Sequence, residues 1–422
     1  MREAFHNKLV IHGDSVTDDL DVAVIGAGAA GISAARRLAE RGHSVLLIDA
    51  LTRLGGRAYS LNFQGMPLDL GCGWLHSAER NPLVALAESM GLEIDRSSGA
   101  WTRQLHNLHF TAEAQQAAWD AYRHFTARLH RAAPPSDRTA DALVGDDRWR
   151  PFIDAISSYV NGTETDQLSA TDFLVYDTAA SDNNWRLPSG YGNFIAALGA
   201  RLPATLSTRV TSVVEGNDIV IGTERGSRHA RAAIITVSTS VLINGSIQFP
   251  RSAEDHLHAA ACLPLGVADK VYLSIATPDA VPAESHLLGR LDRTATGSYY
   301  LRPFGRPIIE CYLGGSLARE LEDAGETATV SFVLEELRHL LGTEFARGLA
   351  PIAITRWARE ATIGGSYSHA LPGLAHARAV LARPVSERVC FAGEACSPRD
   401  FSTAHGAWES GILAADWIEV SL

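Results

Sequence analysis

The sequence predicts an α/β protein in which a Rossmann-like parallel sheet is interleaved along the chain with an α+β unit of mixed sheet and helices. Three observations carry this. The stretch DVAVIGAGAAGISAARRLAERGHSVLLIDALTRLGGRAYS, Asp21 to Ser60, reads strand, helix, strand. A second strand, turn and helix, RVCFAGEACSPRDFSTAHGAWESGILAADWI, lies at the far end of the chain. The length of 422 residues exceeds what one hydrophobic core serves.

In the first stretch VAVIG has the continuous apolar character of a buried parallel strand. AAGISAARRLAERG is an Ala-rich amphipathic helix closed by Gly42, and HSVLLIDA is the second strand. Between strand and helix, Gly26 allows the sharp turn, Gly28 lets backbone approach a pyrophosphate, and Gly31 lets helix and strand pack closely. Asp49 follows at about 20 residues, where a carboxylate accepts hydrogen bonds from ribose hydroxyls. This register points to a dinucleotide site, and the motif alone leaves FAD and NAD equally open.

Further along, FQGMPLDLGCGWLHSAERNPLVALAESMGLEI is turn-rich and then helical. Residues 111–180 carry helical periodicity, as in AEAQQAAWDAYRHFTARLHRAA, broken by Pro134 and Pro135. RLPSGYGNFIAALGARLP gives a Gly-rich turn and a short helix, followed by strand-like STRVTSVVEGNDIVIGTERGSRHARAAIITVS. GVADKVYLSI and SYYLRPFGRPIIECYLGG form a second sheet, interrupted by the helix around TVSFVLEELRHLLG. The second strand-turn-helix can complete the first site only if the chain returns to it, which requires discontinuous domains.

Composition excludes several classes. Lys plus Arg total 37 against 48 Asp plus Glu, with no dense basic block, so nucleic acid is not an expected partner. Five scattered cysteines without a C-x-x-C pair fit neither a disulfide framework nor a zinc site. No apolar stretch reaches the ~18 residues of a membrane span, and residues 1–19 lack a signal-peptide core. A cytoplasmic protein is expected, with 1–19 as a leader.

Five separated motifs resemble the flavin-containing amine oxidase family of monoamine oxidases, polyamine oxidases and flavin-dependent histone demethylases. They are the dinucleotide unit ending in DALTRLGGR; DLGCGWLH; LPSGYGNFIAAL followed by LSTRVTSVV; LGVADKVYL; and WARE leading to GGSYS, FAGE and STAHGAWESGILAA. The resemblance runs from about Asp21 to Trp417 and implies FAD. It divides the chain into an FAD-binding domain of 20–80, 188–255 and 384–420 and a substrate-binding domain of 81–187 and 256–383.

The resemblance also implies residue roles. Gly56 and Arg57 of GGR lie near the diphosphate and flavin, and Asp49 stands where Glu is more usual. Gly393 and Glu394 of FAGE lie near the diphosphate and ribityl chain, and the Val210 backbone meets the adenine. Gly73 and Trp74 of GCGWLH are implied to lie at the cofactor, and Trp74 with His76 matches a Trp-x-His pattern of animal-type polyamine oxidases in which His76 is the candidate to orient the substrate. Lys270 corresponds to a lysine that contacts a water beside the reactive flavin nitrogen. Trp357 packs near the flavin, and Tyr367 forms one wall of an aromatic cage. Thr403 stands where monoamine oxidases have the second cage tyrosine. Ser366 stands where they carry the flavin-linking cysteine, so FAD is expected to be noncovalent.

The implied reaction oxidises a small primary or secondary amine, polyamines included, to an imine, with oxygen giving hydrogen peroxide. A homodimer is compatible with it. The alternatives are an L-amino-acid oxidase, for which Arg103, Arg186 or Arg302 would clamp a carboxylate, an amine dehydrogenase with a protein acceptor, a demethylase-like scaffold, and, from the first motif alone, an NAD-dependent dehydrogenase.

Overall fold

The computed structural model describes residues 20–102, 104–105, 109–143 and 148–422; residues 1–19, expected to be a leader, and Arg103 lie outside the described residues. Strand β1 (Leu20–Ile25) leads through Gly26, at φ +107°, into the helix Ala29–Glu40 and then β2 (Val45–Ile48). A Cβ on Gly31 would lie 1.9 Å from the Gly26 carbonyl oxygen, so only glycine lets the helix sit this close to the strand. Gly42, at φ +91°, ends the helix.

β3 (Ser60–Phe63) and β4 (Met66–Asp69) form a hairpin, and β5 (Ala204–Thr205) is a short parallel edge on β2. β6 (Val210–Glu215), β7 (Ile219–Thr223) and β8 (Gly226–Ile235) make an antiparallel meander whose last strand pairs parallel with β1. A second sheet comprises β9 (Ala268–Ile275), β10 (Ser285–Leu288), β11 (Ser298–Leu301), β12 (Ile308–Gly314) and β13 (Leu349–Ile354), in the order β10-β11-β12-β9-β13. β14 (Val389–Phe391) returns to the first sheet and pairs with β8 at Ala233–Ile235, giving the order β5-β2-β1-β8-β7-β6 with β14 alongside β8.

After β14 the helix Ala404–Glu419 packs on the helix Ala29–Glu40. A Cβ on Gly411 would lie 2.1 Å from the Ala30 carbonyl oxygen, and Ser33 Oγ donates to the Trp408 carbonyl at 2.7 Å. The two ends of the described chain therefore meet backbone to backbone.

The second sheet has two unlike faces. Val271, Leu273, Tyr299, Leu301, Ile309, Cys311 and Leu313 share a buried core with Leu317, Val333, Leu337 and Leu340 of the helices Gly315–Ala324 and Glu326–Leu341. The alternate residues face the other way, toward the first sheet, because side chains alternate along a strand. The helices Ala112–Arg131, Arg150–Asn161 and Ala170–Ala179 cluster through Phe125, Leu129, Phe152 and Phe173 and rest on Leu288 and Leu291 at the edge of that sheet.

The structure adds elements that the sequence pattern does not announce. The piece read as turn-rich holds β4 and the turn of the β3–β4 hairpin, at Gln64 and Gly65, both at positive φ. β13 contains Pro351, a residue that argues against a strand but is tolerated on this sheet's edge. None of the described helices is long and apolar enough to cross a membrane.

A buried ion pair ties the helix Ala170–Ala179 to the C-terminal region. Arg378 grips Asp172 through Nε at 2.6 Å and Nη2 at 2.8 Å, both side chains at or below 5% exposure. Removing one partner leaves an uncompensated buried charge. Asp172→Ala is therefore expected to lower stability by about 3–5 kcal/mol, read as a shift in the urea midpoint of the holoprotein.

Candidate functional site

A cavity of about 940 Å³ lies between the two sheets, near the upper end of the ~300–1,000 Å³ typical of ligand pockets. Its floor is the turn after β1. The helix Ala29–Glu40 starts at Gly28 without a side-chain cap and without an acid in its first turn, so its leading amides and dipole favour an anion. A Cβ on Gly28 would make only ordinary van der Waals contact, 3.9 Å from the Gly55 carbonyl oxygen, so this turn is not filled by protein side chains. Gly55 and Gly56 close over Gly28, with the Gly55 amide bonded to the Ala27 carbonyl at 2.8 Å. Gly31 is not part of the cavity wall and acts through helix packing.

Asp49 accepts from the Ala27 amide at 2.6 Å and the Leu51 amide at 2.7 Å, one on each oxygen, which leaves each oxygen a further acceptor position. Val210, at the start of β6, lines the wall beyond it. Arg57 Nη1 donates to Glu394 Oε1 at 2.9 Å and to the Ser366 carbonyl at 2.7 Å. Glu394 follows Gly393 directly after β14 and also accepts from Ser368 Oγ at 2.7 Å and the Ser402 amide at 2.9 Å. Its burial opposes ionisation, but Arg57, Arg378 and these hydrogen bonds outweigh it and hold the carboxyl below its ordinary range. An uncapped helix N-terminus, a glycine cradle, a carboxylate with free acceptor positions and a half-buried Arg–Glu pair fit FAD.

The opposite wall is the polar face of the second sheet. Strand register places Lys270 opposite Tyr312 and Tyr312 opposite Ser298, while Tyr272 lies opposite Glu310 and Glu310 opposite Tyr300. Lys270 Nζ donates to the Asp69 carbonyl at 2.7 Å and pairs with Glu310 Oε1 at 2.8 Å. Burial alone would lower its pKa, and Glu310, with Tyr312 and Asp69, reverses the effect, so the ammonium stays charged. An added Cβ on Gly73 would lie 3.6 Å from Lys270 Nζ, which places the lysine head directly against the GCGWLH loop.

Trp357 is buried over Gly71, and its amide donates to Asp269 Oδ1 at 3.1 Å. Tyr367 Oη donates to the Tyr159 carbonyl at 2.5 Å and lies 3.3 Å from Tyr312 Oη. Trp74 packs on Trp101 at 4.6 Å between ring centroids. His76 Nδ1 contacts Asn184 Oδ1 at 2.7 Å, and the Asn184 amide nitrogen donates to the Asp182 carbonyl at 3.2 Å. That arrangement puts the proton on Nδ1 and leaves Nε2 an acceptor. Burial pushes the His76 pKa down to about 4, against the opposing Asn184 hydrogen bond, so the ring is neutral at pH 7.

Thr403 lines the cavity, but its hydroxyl donates to the Asp400 carbonyl at 2.6 Å and accepts from the Gly406 amide at 3.0 Å, capping the final helix. Ser366 Oγ is engaged with both backbone groups of Ala268, each at 2.8 Å. Sequence reasoning missed Glu310, Tyr312 and Asn184. Glu310 and Tyr312 were findable from β12 alone, since residues of one parity share a face. Asn184 carries no such signal. Among the described residues no group of three or more His, Cys, Asp or Glu is arranged to hold a metal.

The model of the family described as flavin containing amine oxidoreductase matches residues 29–418. Polyamine oxidase 2 of Arabidopsis thaliana is 27% identical, the match covering 94% of this chain and 87% of that protein. Polyamine oxidase 4 of Oryza sativa subsp. japonica is 29% identical, covering 94% and 88%. Among solved structures, wild-type putrescine oxidase bound to putrescine superposes with a TM-score of 0.77 at 18% identity, covering 95% of this chain and 99% of that one, a likeness of fold. The chain belongs to the flavin containing amine oxidoreductase family and is an FAD-dependent amine oxidase.

Proposed function

We propose that the enzyme oxidises small primary or secondary amines, polyamines included. One amine, one oxygen and one water give an aldehyde, ammonia or a shortened amine, and hydrogen peroxide. The observation that carries this reading is Lys270, held charged by Glu310 on the cavity face of the second sheet, against Gly73 and beside Tyr312. Bound FAD supplies the two-electron acceptor that no side chain provides.

The chain's own residues have separable tasks. The amides after Gly28 and the Gly55–Gly56 loop would hold the diphosphate, Asp49 the ribose, Val210 the adenine end, and Arg57 with Glu394 the region between diphosphate and flavin. Trp357, Tyr367 and Tyr312 exclude water and favour an uncharged amine. Neutral His76 offers Nε2 to an amine N–H. Lys270 has three N–H donors and two protein partners, so one remains for a water or oxygen species.

Neither Arg186 nor Arg302 lines the cavity, and Arg186 is already held by two carboxylates, which favours amines over amino acids. Arg186 is paired with Asp95 at 2.5 Å and Glu284 at 2.8 Å, and Arg302 with Asp279 at 3.4 Å. Arg103 lies outside the described residues. The five cysteines are unpaired, which supports a cytoplasmic setting.

With Ser366 in place of a thiol, FAD is expected to be noncovalent: acid or heat denaturation should leave the yellow colour in the supernatant, and colour retained in the pellet refutes it. Peroxide assays on a panel of amines and amino acids test the reaction class, with turnover expected for amines and none for amino acids. In the same assay Lys270→Met should lower kcat/KM for oxygen by about 100-fold at unchanged FAD content. Because that variant strands Glu310, Lys270→Met/Glu310→Gln controls for the orphaned carboxylate.

Thr403 leaves the second wall small, so secondary and extended amines should be accepted beside primary ones. Thr403→Tyr is expected to shift preference toward short primary amines and, by losing the helix cap, to lower stability by about 1 kcal/mol. Thr403→Ser keeps the cap and should leave both size preference and melting temperature near wild type. An unchanged size preference in Thr403→Tyr sinks the open-wall account.

A further inference from the structure

We propose that Ser298 forms a distal subsite for a neutral hydrogen-bond acceptor, such as an amide carbonyl or ether oxygen, on the amine substrate. The proposal rests on the amine-oxidase reading and specifies which amines that cavity prefers.

The argument follows the direction of three hydrogen bonds. Gln104 Nε2 donates to the Trp101 carbonyl at 3.1 Å; an amide oxygen there would face another oxygen, so the nitrogen position is fixed. The same Nε2 lies 2.5 Å from His286 Nδ1, which must therefore accept. His286 is buried and neutral, its pKa pushed down to about 4 by desolvation, so its one proton is on Nε2. Nε2 lies 2.7 Å from Ser298 Oγ, so the serine oxygen accepts. The serine hydroxyl hydrogen is then left to point elsewhere, and Ser298 lines the cavity.

The other hydroxyls on this face are engaged. Tyr272 donates to the Asp69 carbonyl at 2.9 Å, and Tyr300 donates to Glu284. Tyr367 donates to the Tyr159 carbonyl, so Tyr312 is the donor in its contact with Tyr367. Among the described residues Ser298 is the hydroxyl of this face whose hydrogen has no protein acceptor. The one carboxylate on the face, Glu310, is paired with Lys270. This wall thus offers a donor and no free anion, which suits an uncharged acceptor better than a second ammonium.

Register gives the spacing. Ser298 is opposite Tyr312, and Tyr312 is opposite Lys270, so two strand intervals separate Ser298 from Lys270. At about 4.8 Å per interval this is roughly 10 Å.

The test uses FAD-loaded enzyme and amines whose α-carbon carries two methyl groups and no hydrogen, so that binding is measured without turnover. Three length-matched ligands are compared by calorimetry: a distal acetamide, a plain alkyl chain and a diamine. Wild type is expected to bind the acetamide tightest. Ser298→Ala should weaken the acetamide about 5-fold, as expected for loss of one neutral hydrogen bond, and leave the alkyl ligand within about twofold. Ser298→Asp should reverse the order in favour of the diamine. Equal losses on acetamide and alkyl ligands, tighter diamine binding in wild type, or no acetamide binding overturns the proposal. Oxidisable counterparts read the other layer: discrimination in binding without peroxide from any amine refutes the oxidase reading and leaves the subsite standing.

Discussion

β8 is ten residues long and serves two partners on one edge, β7 along its first half and β14 along its second, while β1 occupies its other edge. That shared edge brings Gly393 and Glu394 back to the turn at Gly26–Gly28 across more than 360 residues of chain. The helix after β14 then locks onto the first helix through Gly411, where the chains approach too closely for any side chain. The cavity has its cofactor wall because of this pairing, and the intervening segments are free to build the opposite wall.

Burying charge at such a site is costly unless each charge has a partner. The enzyme meets this with linked pairs: Asp172 holds Arg378, Arg378 donates to Ser368 at 2.9 Å, Ser368 donates to Glu394, and Glu394 holds Arg57. The chain of contacts runs from the helix Ala170–Ala179, which lines the cavity at Tyr176 and Asp177, to the arginine of the GGR loop. Across the cavity, Lys270 and Glu310 form a separate pair. The first helix begins with uncapped amides, which can receive an anion and need no counter-charge in its absence.

The first βαβ unit was legible because its apolar runs, glycine spacing and terminal acid are all local. The return of β14 was legible as a requirement, since a second strand-turn-helix at that distance has no other use. The β3–β4 hairpin was not, because Gln-Gly is a weaker turn signal than Asn-Gly or Asp-Gly, and Pro351 hid an edge strand. At the site, the sequence located Lys270 and Tyr367 by motif. It could not reveal that Glu310 neutralises one or that Tyr159 and Tyr312 hold the other, because those contacts depend on register across strands. Thr403 shows the opposite limit: its position was found, but its hydroxyl serves the helix end, so only its small volume faces the cavity.

The same closure has a consequence for biosynthesis. Gly393, Glu394 and the locking helix are synthesised more than 360 residues after the glycine turn they complete. Until β14 and Glu394 have been made, β8 presents half of one edge unpaired and the Arg57 guanidinium lacks its carboxylate partner. A nascent chain thus carries an open sheet edge from the synthesis of β8 until β14 follows it, a stretch of more than 150 residues over which that edge is available for wrong pairing.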